Sequence, residues 1–187
     1  MASLVLASGS PRRLELLSQF PGIALRVAVP DVDESCGLPA GQAVGEISRR
    51  KAQAVEIYKG EVAIAADTLV EIGGRTLGKP ENEAAARMML EQLSGRWHNV
   101  YTGVTVSDGQ RLLTETEHTC VKFAALTERD IKAYIATKDP FDKAGAYGIQ
   151  GRGALFVSAI EGDFYNVMGL PLFRLGQLLG NFGVRLF

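Results

Sequence analysis

The stretch LVLASGSPRRLELL, residues 4–17, passes from an apolar run through a Ser/Gly/Pro turn into leucines at helical spacing. Residues 3–8 read as a buried strand, ended by Gly9 and Pro11. From Arg12 to Phe20 the residues Leu14, Leu16, Leu17 and Phe20 follow a helical stripe, with Ser10 at the N-cap position and Pro11 first in the helix. Such a strand–turn–helix junction aims helix N–H groups and the positive end of the macrodipole at an anion lying above it. Arg12 and Arg13 oppose that dipole and make sense if a phosphate completes the junction, since guanidinium forks and free N–H groups share phosphate oxygens. The other reading is a pair of solvated surface arginines.

Working outward, residues 24–29 alternate as a second strand and 30–41 form an acidic, Pro/Gly-punctuated loop. A helix is predicted over 43–58, with Val44, Ile47, Ala54, Val55 and Tyr58 on its buried stripe. EVAIAADTLVEI (61–72) is the strongest strand signal, and Gly73, Gly74 and Arg75 suit a hairpin turn. A helix over 81–93 ends at Ser94 and Gly95; two antiparallel strands, 97–108 and 109–125, join at Asp108 and Gly109. Thr127 and Asp130 have capping-box spacing at the start of a helix over 127–138. A Gly-rich stretch (143–153), a strand (154–162) and a closing helix (169–182) complete the chain. Alternating strands and helices with a central hairpin predict an α/β fold: a mixed, twisted sheet flanked by helices.

The 187 residues suit one domain, residues 1–187, with two lobes. A formal net charge of −1 supplies no global attraction to nucleic acid or membrane, so neither partner is expected and any anion site is local. Cys36 and Cys120 lack zinc-ligand spacing, and no signal peptide or 18-residue apolar segment is present. A cytoplasmic location with free thiols is expected.

Several side chains carry candidate chemistry. Asp67 interrupts an apolar strand and is placed to bind a metal or activate water, with Thr68 beside it; a turn or capping role is the alternative. Lys51 follows Arg49 and Arg50 in a run that usually forms a solvated helix face. Lys79, between Gly78 and Pro80, lacks the glycine spacing of a Walker A loop, which excludes a P-loop ATPase. Asp31, Asp33 and Glu34 crowd one loop and suit Mg²⁺ or Mn²⁺ together with Asp67, or are simply soluble. Gln150, among four glycines, offers a donor and an acceptor to a nucleobase edge, or is a surface residue. His98 and His118 have no evident partners and read as structural. Ser8 and Ser10 do not form a nucleophile elbow.

The segments ASGSPRR (7–13), AADTLV (65–70), LGKP (77–80), LSGRWHNVYTGV (93–104), KAGAYGIQGRGALFV (143–157) and GDFYNVMGLPL (162–172) together resemble the Maf family of nucleotide pyrophosphatases across essentially the whole chain. YGIQG looks like the subgroup acting on dTTP and UTP, as opposed to that for 7-methyl-GTP. The resemblance implies a Maf/ITPase-like fold of two lobes around a deep cleft, and hydrolysis of a nucleoside triphosphate to monophosphate and pyrophosphate with Mg²⁺ or Mn²⁺. It implies Asp67 as proton acceptor, substrate selection by Arg12, Thr68 and Gln150, phosphate contacts from Arg13, Lys51 and Lys79, and Glu34 as a metal-side acid with Asp67. Ser8 and Ser10 join the substrate-binding set, and Phe164 and Asn166 stay unassigned. A homodimer and a house-cleaning role are further implications. The alternative is a nucleotide-binding regulator of cell division that needs no catalysis; a phosphatase releasing single orthophosphates is a third reading.

Overall fold

A computed structural model describes residues 2–186. In chain order the elements are β1 (Ala2–Ala7), α1 (Pro11–Ser18), β2 (Ile23–Val27), α2 (Ala40–Gln53), β3 (Glu61–Ile72), β4 (Arg75–Leu77) and α3 (Glu83–Leu93), then β5 (Trp97–Ser107), β6 (Leu112–Phe123), α4 (Glu128–Ala136), β7 (Val157–Glu161), α5 (Phe164–Met168) and α6 (Leu172–Gly180). Short 3-10 turns occupy 139–142, 144–146 and 151–156. One sheet runs β2-β1-β3-β5-β6-β7, with β4 added to β3. β1 is parallel to β2 and β3, and the remaining pairs are antiparallel, so the expected mixed α/β sheet is present.

The long strand β3 positions the site. Its first half pairs with β1 as far as Ala7↔Ala65, and β4 takes the same edge from Val70↔Leu77 onward. Along that edge residues 66–69 have no strand partner, and the gap opens beyond the carboxyl end of β1, where crevices of open α/β sheets hold their ligands.

Two apolar clusters flank the gap. Leu4, Leu6, Ile64 and Val104 of the sheet pack against Leu16 and Leu17 of α1 and Leu175 and Leu179 of α6. Val70, Val121 and Phe123 pack against Leu90 and Leu93 of α3, Ile131 and Tyr134 of α4, and Phe156. The sheet is continuous through both, giving two lobes with a cleft between them.

Helix α2 covers the face of the sheet that carries Asp67, and glycine makes this close approach possible. A Cβ on Gly103, the β5 partner of Asp67, would stand 2.2 Å from the Val44 carbonyl oxygen and 2.6 Å from the Gly45 nitrogen. Both are backbone atoms that cannot rotate away. Gly103→Ala is therefore expected to destabilise the fold by about 2 kcal/mol, read as a melting temperature lower by roughly 5 °C. Turnover should fall with it, because α2 carries Lys51. An unchanged melting temperature would contradict this packing.

The second lobe contains His98, 2% exposed, whose Nε2 lies 2.7 Å from the Tyr147 hydroxyl. His118 instead stacks on Tyr101 and meets Asn99 Oδ1 at 2.9 Å. Both histidines thus have partners that the sequence did not disclose, and both are structural. Burial lowers His98 to about 4. The unfolded chain takes up a proton near pH 6.5 whereas the folded chain resists until about pH 4, so stability present above 6.5 is lost as the pH falls through this window, by up to about 3 kcal/mol. Thermal melts between pH 7 and 4.5 should show the decline, and His98→Gln should flatten it.

Some boundaries differ from expectation. α2 begins at Ala40, directly after Pro39 at the N-cap position, and stops at Gln53, not near Tyr58, whose backbone N–H donates to Glu61. The strand expected over 154–162 is confined to Val157–Glu161, because 151–156 coils as a 3-10 turn. A five-residue helix, α5, precedes the closing one; Asp163 caps its start and Gly169, at φ 104°, ends it.

Candidate active site

The turn after β1 brings Arg13 inward. Ser10 occupies the N-cap position as expected, but its hydroxyl caps nothing; its backbone N–H donates to Ser8 Oγ. Arg13 is 8% exposed and donates through Nε to the Gly169 carbonyl (2.8 Å), through Nη1 to Ser8 Oγ (3.0 Å) and through Nη2 to Thr68 Oγ1 (3.1 Å). Of the five guanidinium N–H groups, two are left for a ligand. Burial lowers Arg13 to about 10, partly offset by Asp67, so it remains a cation at neutral pH. The solvated-arginine reading therefore fails for Arg13. The Gly169 carbonyl is itself fixed, because Asn166, fully buried, donates to Val100 O and Thr119 Oγ1 while its own carbonyl accepts from Thr102. Asn166 is thus a structural anchor; Phe164 is 40% exposed.

Asp67 projects from the unpaired stretch of β3 toward α2. There Lys51 is 8% exposed, because Val44, Ile47, Ser48 and Lys51 form the helix face against the sheet. The solvated-face reading of the Arg49–Lys51 run thus holds only for Arg49, which is exposed. Lys51 Nζ donates to Asp67 Oδ1 at 2.7 Å and contacts Glu34 Oε1 at 2.8 Å. Arg50 braces the Glu34 loop by donating to the carbonyls of Asp33 and Ser35. Burial pushes the Asp67 carboxyl above the ordinary aspartate value, against the pull of Lys51 and Arg13. A carboxylate raised in this way is a stronger base than one in water. Its second oxygen, Oδ2, accepts no hydrogen bond among the described residues.

No group of three or more His, Cys, Asp or Glu side chains suited to a metal ion occurs among the described residues. Asp33 spends both carboxylate oxygens on Ser35, and neither it nor Asp31 lines the cleft. Glu34 and Asp67, however, already share one cation, the Lys51 ammonium. Both are hard oxygen donors of the kind that would hold a divalent ion.

The opposite wall comes from the second lobe. Gly145 sits at φ 69°, where an added Cβ would stand 3.0 Å from the Val70 side chain, and its N–H donates to the Gly78 carbonyl at 3.0 Å. This bond ties the Gly-rich turn to the loop bearing Lys79, which is exposed and makes no hydrogen bond or ion pair with the described residues. Gln150 follows on the same wall, also exposed.

The resulting cleft has a volume of about 710 Å³. The junction residues Ser8, Ser10, Arg12 and Arg13 line it, as do Glu34, Lys51, Asp67 and Thr68 from the middle of the sheet and Lys79 and Gln150 from the far wall. Asp139, Asp142 and Lys143 line it too, although nothing in their spacing singled them out. Fold and site define a two-lobed α/β protein whose cleft gathers a buried carboxylate and a cluster of cationic side chains.

A family model described as Maf-like protein matches residues 3–182, and the chain belongs to that family. It is 49% identical to a protein of Symbiobacterium thermophilum named dTTP/UTP pyrophosphatase, over all of this chain and 97% of that one. A protein of the same name from Caldicellulosiruptor bescii is 48% identical, over 98% and 96% of the two chains. The structure of a HAM1 protein from Coxiella burnetii shares the fold, with a TM-score of 0.60 at 18% identity, covering 97% of this chain and all of that one.

Proposed function

We propose that this protein is a nucleoside triphosphate pyrophosphatase that hydrolyses dTTP and UTP to the monophosphate and pyrophosphate. The observation that carries the reading is the convergence of a buried Asp67, its carboxyl raised by burial, with Arg13, Lys51 and Lys79 on one cleft. The relatives matched end to end are named for this activity. The free N–H groups of Arg13 and the Lys79 ammonium hold triphosphate oxygens, and the start of α1 adds its positive dipole end. Asp67 takes a proton from water at Oδ2 as the water attacks the α-phosphorus. The bond between that phosphorus and the bridging oxygen breaks, and pyrophosphate leaves with the negative charge, stabilised by the surrounding cations.

Mg²⁺ or Mn²⁺ held by Glu34 and Asp67 would supply charge neutralisation to the phosphates. Gln150, on the wall facing the phosphate-side helix, reads the base edge through its amide, with Thr68 and Arg12 contributing to selection. The two half-buried free thiols agree with work in the reducing cytoplasm, and among the described residues no helix is long and apolar enough to cross a membrane. The test is a panel of nucleoside triphosphates with Mg²⁺ or Mn²⁺, scored for pyrophosphate. Release of pyrophosphate from dTTP and UTP ahead of purine triphosphates is expected. Orthophosphate alone, or binding without turnover, would overturn the reading.

A further inference from the structure

Arg12 does not reach into the cleft unaccompanied. Its Nη1 donates to Asp142 Oδ2 at 2.7 Å and its Nη2 reaches the Asp142 carbonyl at 3.4 Å. Arg12 belongs to the start of α1 and Asp142 to the 3-10 turn of the second lobe, so this ion pair spans the cleft. The other oxygen, Asp142 Oδ1, accepts from Lys143 Nζ at 2.6 Å.

Lys143 lines the cleft and invites reading as another phosphate ligand. An ammonium has three protons, however, and Lys143 spends its remaining two on Asp139, at the carbonyl (2.7 Å) and Oδ1 (2.9 Å). Its donors are thus fully committed to protein acceptors. Its stem fills the space over Gly148, where an added Cβ would stand 2.8 Å from Lys143 Cε. From Asp139 the chain of bonds continues: Tyr134 donates its hydroxyl proton to Asp139 Oδ2 at 2.6 Å and accepts the Gly148 N–H at 3.1 Å. Gly148 lies two residues before Gln150. An unbroken line of contacts therefore joins the first turn of α1 to the backbone that presents Gln150.

We infer that Asp142 and Lys143 are positioning residues that form a cross-cleft tie, setting the distance between the phosphate-side helix and the base-side Gly-rich segment. A nucleotide bound by both ends must match that distance, so the tie contributes to discrimination between pyrimidine and larger purine triphosphates. The kinetic part of this inference rests on the function proposed above; the structural part does not. The Arg12–Asp142 pair lies at the cleft mouth with the Asp142 carboxylate exposed, where an ion pair contributes little to stability, which separates the role of Asp142 from a folding role.

The test has two arms. In nucleotide-free protein, hydrogen exchange of the amides over 144–151 should accelerate at least tenfold in Asp142→Ala, with a wild-type melting temperature, and in Lys143→Met. In turnover, both variants should raise KM for UTP at least tenfold, lose more in KM than in kcat, and lower the preference for UTP over GTP at least tenfold. Asp142→Glu should restore part of the preference. Wild-type exchange in both variants would overturn the tie, and faster exchange with unchanged KM and preference would overturn its part in selection. So would equal loss of kcat for every nucleotide in Asp142→Ala together with a lowered melting temperature. If the wild-type enzyme releases no pyrophosphate from any nucleotide, the proposed function fails, while the exchange arm still decides whether the tie exists.

Discussion

Asp67→Asn should lose turnover by about 10²–10⁴-fold while the variant folds and binds nucleotide. The side chains are isosteric, and an amide still accepts the Lys51 hydrogen bond at Oδ1, but it cannot take a proton from water. Stability should hold or rise. Burial raises the Asp67 carboxyl above its value in the unfolded chain, so the ionised form at neutral pH is a cost to the fold, and the amide removes it. Measured without a divalent ion, triphosphate affinity should also hold or rise, since one negative charge leaves a cleft lined by cations. Pyrophosphate release, equilibrium nucleotide binding and a thermal melt on one preparation check all three. Retained turnover, or turnover lost together with the fold, would remove Asp67 from the role of base. The same raised carboxyl places the acid limb of the wild-type kcat/KM profile above pH 3.8, the ordinary aspartate value.

Lys51→Met carries the second large effect and tests electrostatics where the first tests proton transfer. The ammonium lies 2.7 Å from Asp67 and 2.8 Å from Glu34, and it is the largest influence pulling Asp67 back down against burial. Met keeps the stem and removes the charge, leaving two carboxylates facing each other with one cation fewer. The Asp67 carboxyl then rises further, and a larger share is protonated at neutral pH. The fold is expected to lose about 3–5 kcal/mol, since one partner of a buried ion pair is removed. A loss of turnover of about 10²-fold at pH 7 is also expected, since a protonated carboxyl cannot serve as the base. Part of it should be recovered at alkaline pH as the acid limb moves upward. A variant with the wild-type pH profile and a uniform rise in KM would make Lys51 a simple phosphate ligand. Glu34 should become more dispensable in this background, because one of its two functions, pairing with Lys51, is already gone.

Local patterns were legible where local physics is decisive. The β3 strand over Glu61–Ile72 and the capping box of Thr127 and Asp130 follow from apolar periodicity and cap chemistry and are present as read, and the strand–turn–helix read over 3–20 is found over 2–18. Lys51 was harder. Its sequence neighbours Arg49 and Arg50 suggest a wet face, yet its spacing from Val44, Ile47 and Ser48 was the signal that it turns inward. Helix α5 is too short for periodicity to register, although Asp163 and Gly169 marked its two ends. The partners of Arg12 and Lys143 left no local trace at all, because Asp142 lies 130 residues from Arg12 along the chain.

The sequence by itself determined the alternation of elements and the family to which the chain belongs, because these depend on nearest neighbours and on residue type. Only the tertiary structure decided which charges meet. The unpaired edge of β3 at 66–69 arises from where β1 stops and β4 begins, and the contact of Lys51 with Asp67 arises from a helix seated on Gly103. Protonation state and donor availability are set by distances of a few ångströms between residues far apart in the chain, and closing those distances is the work of packing.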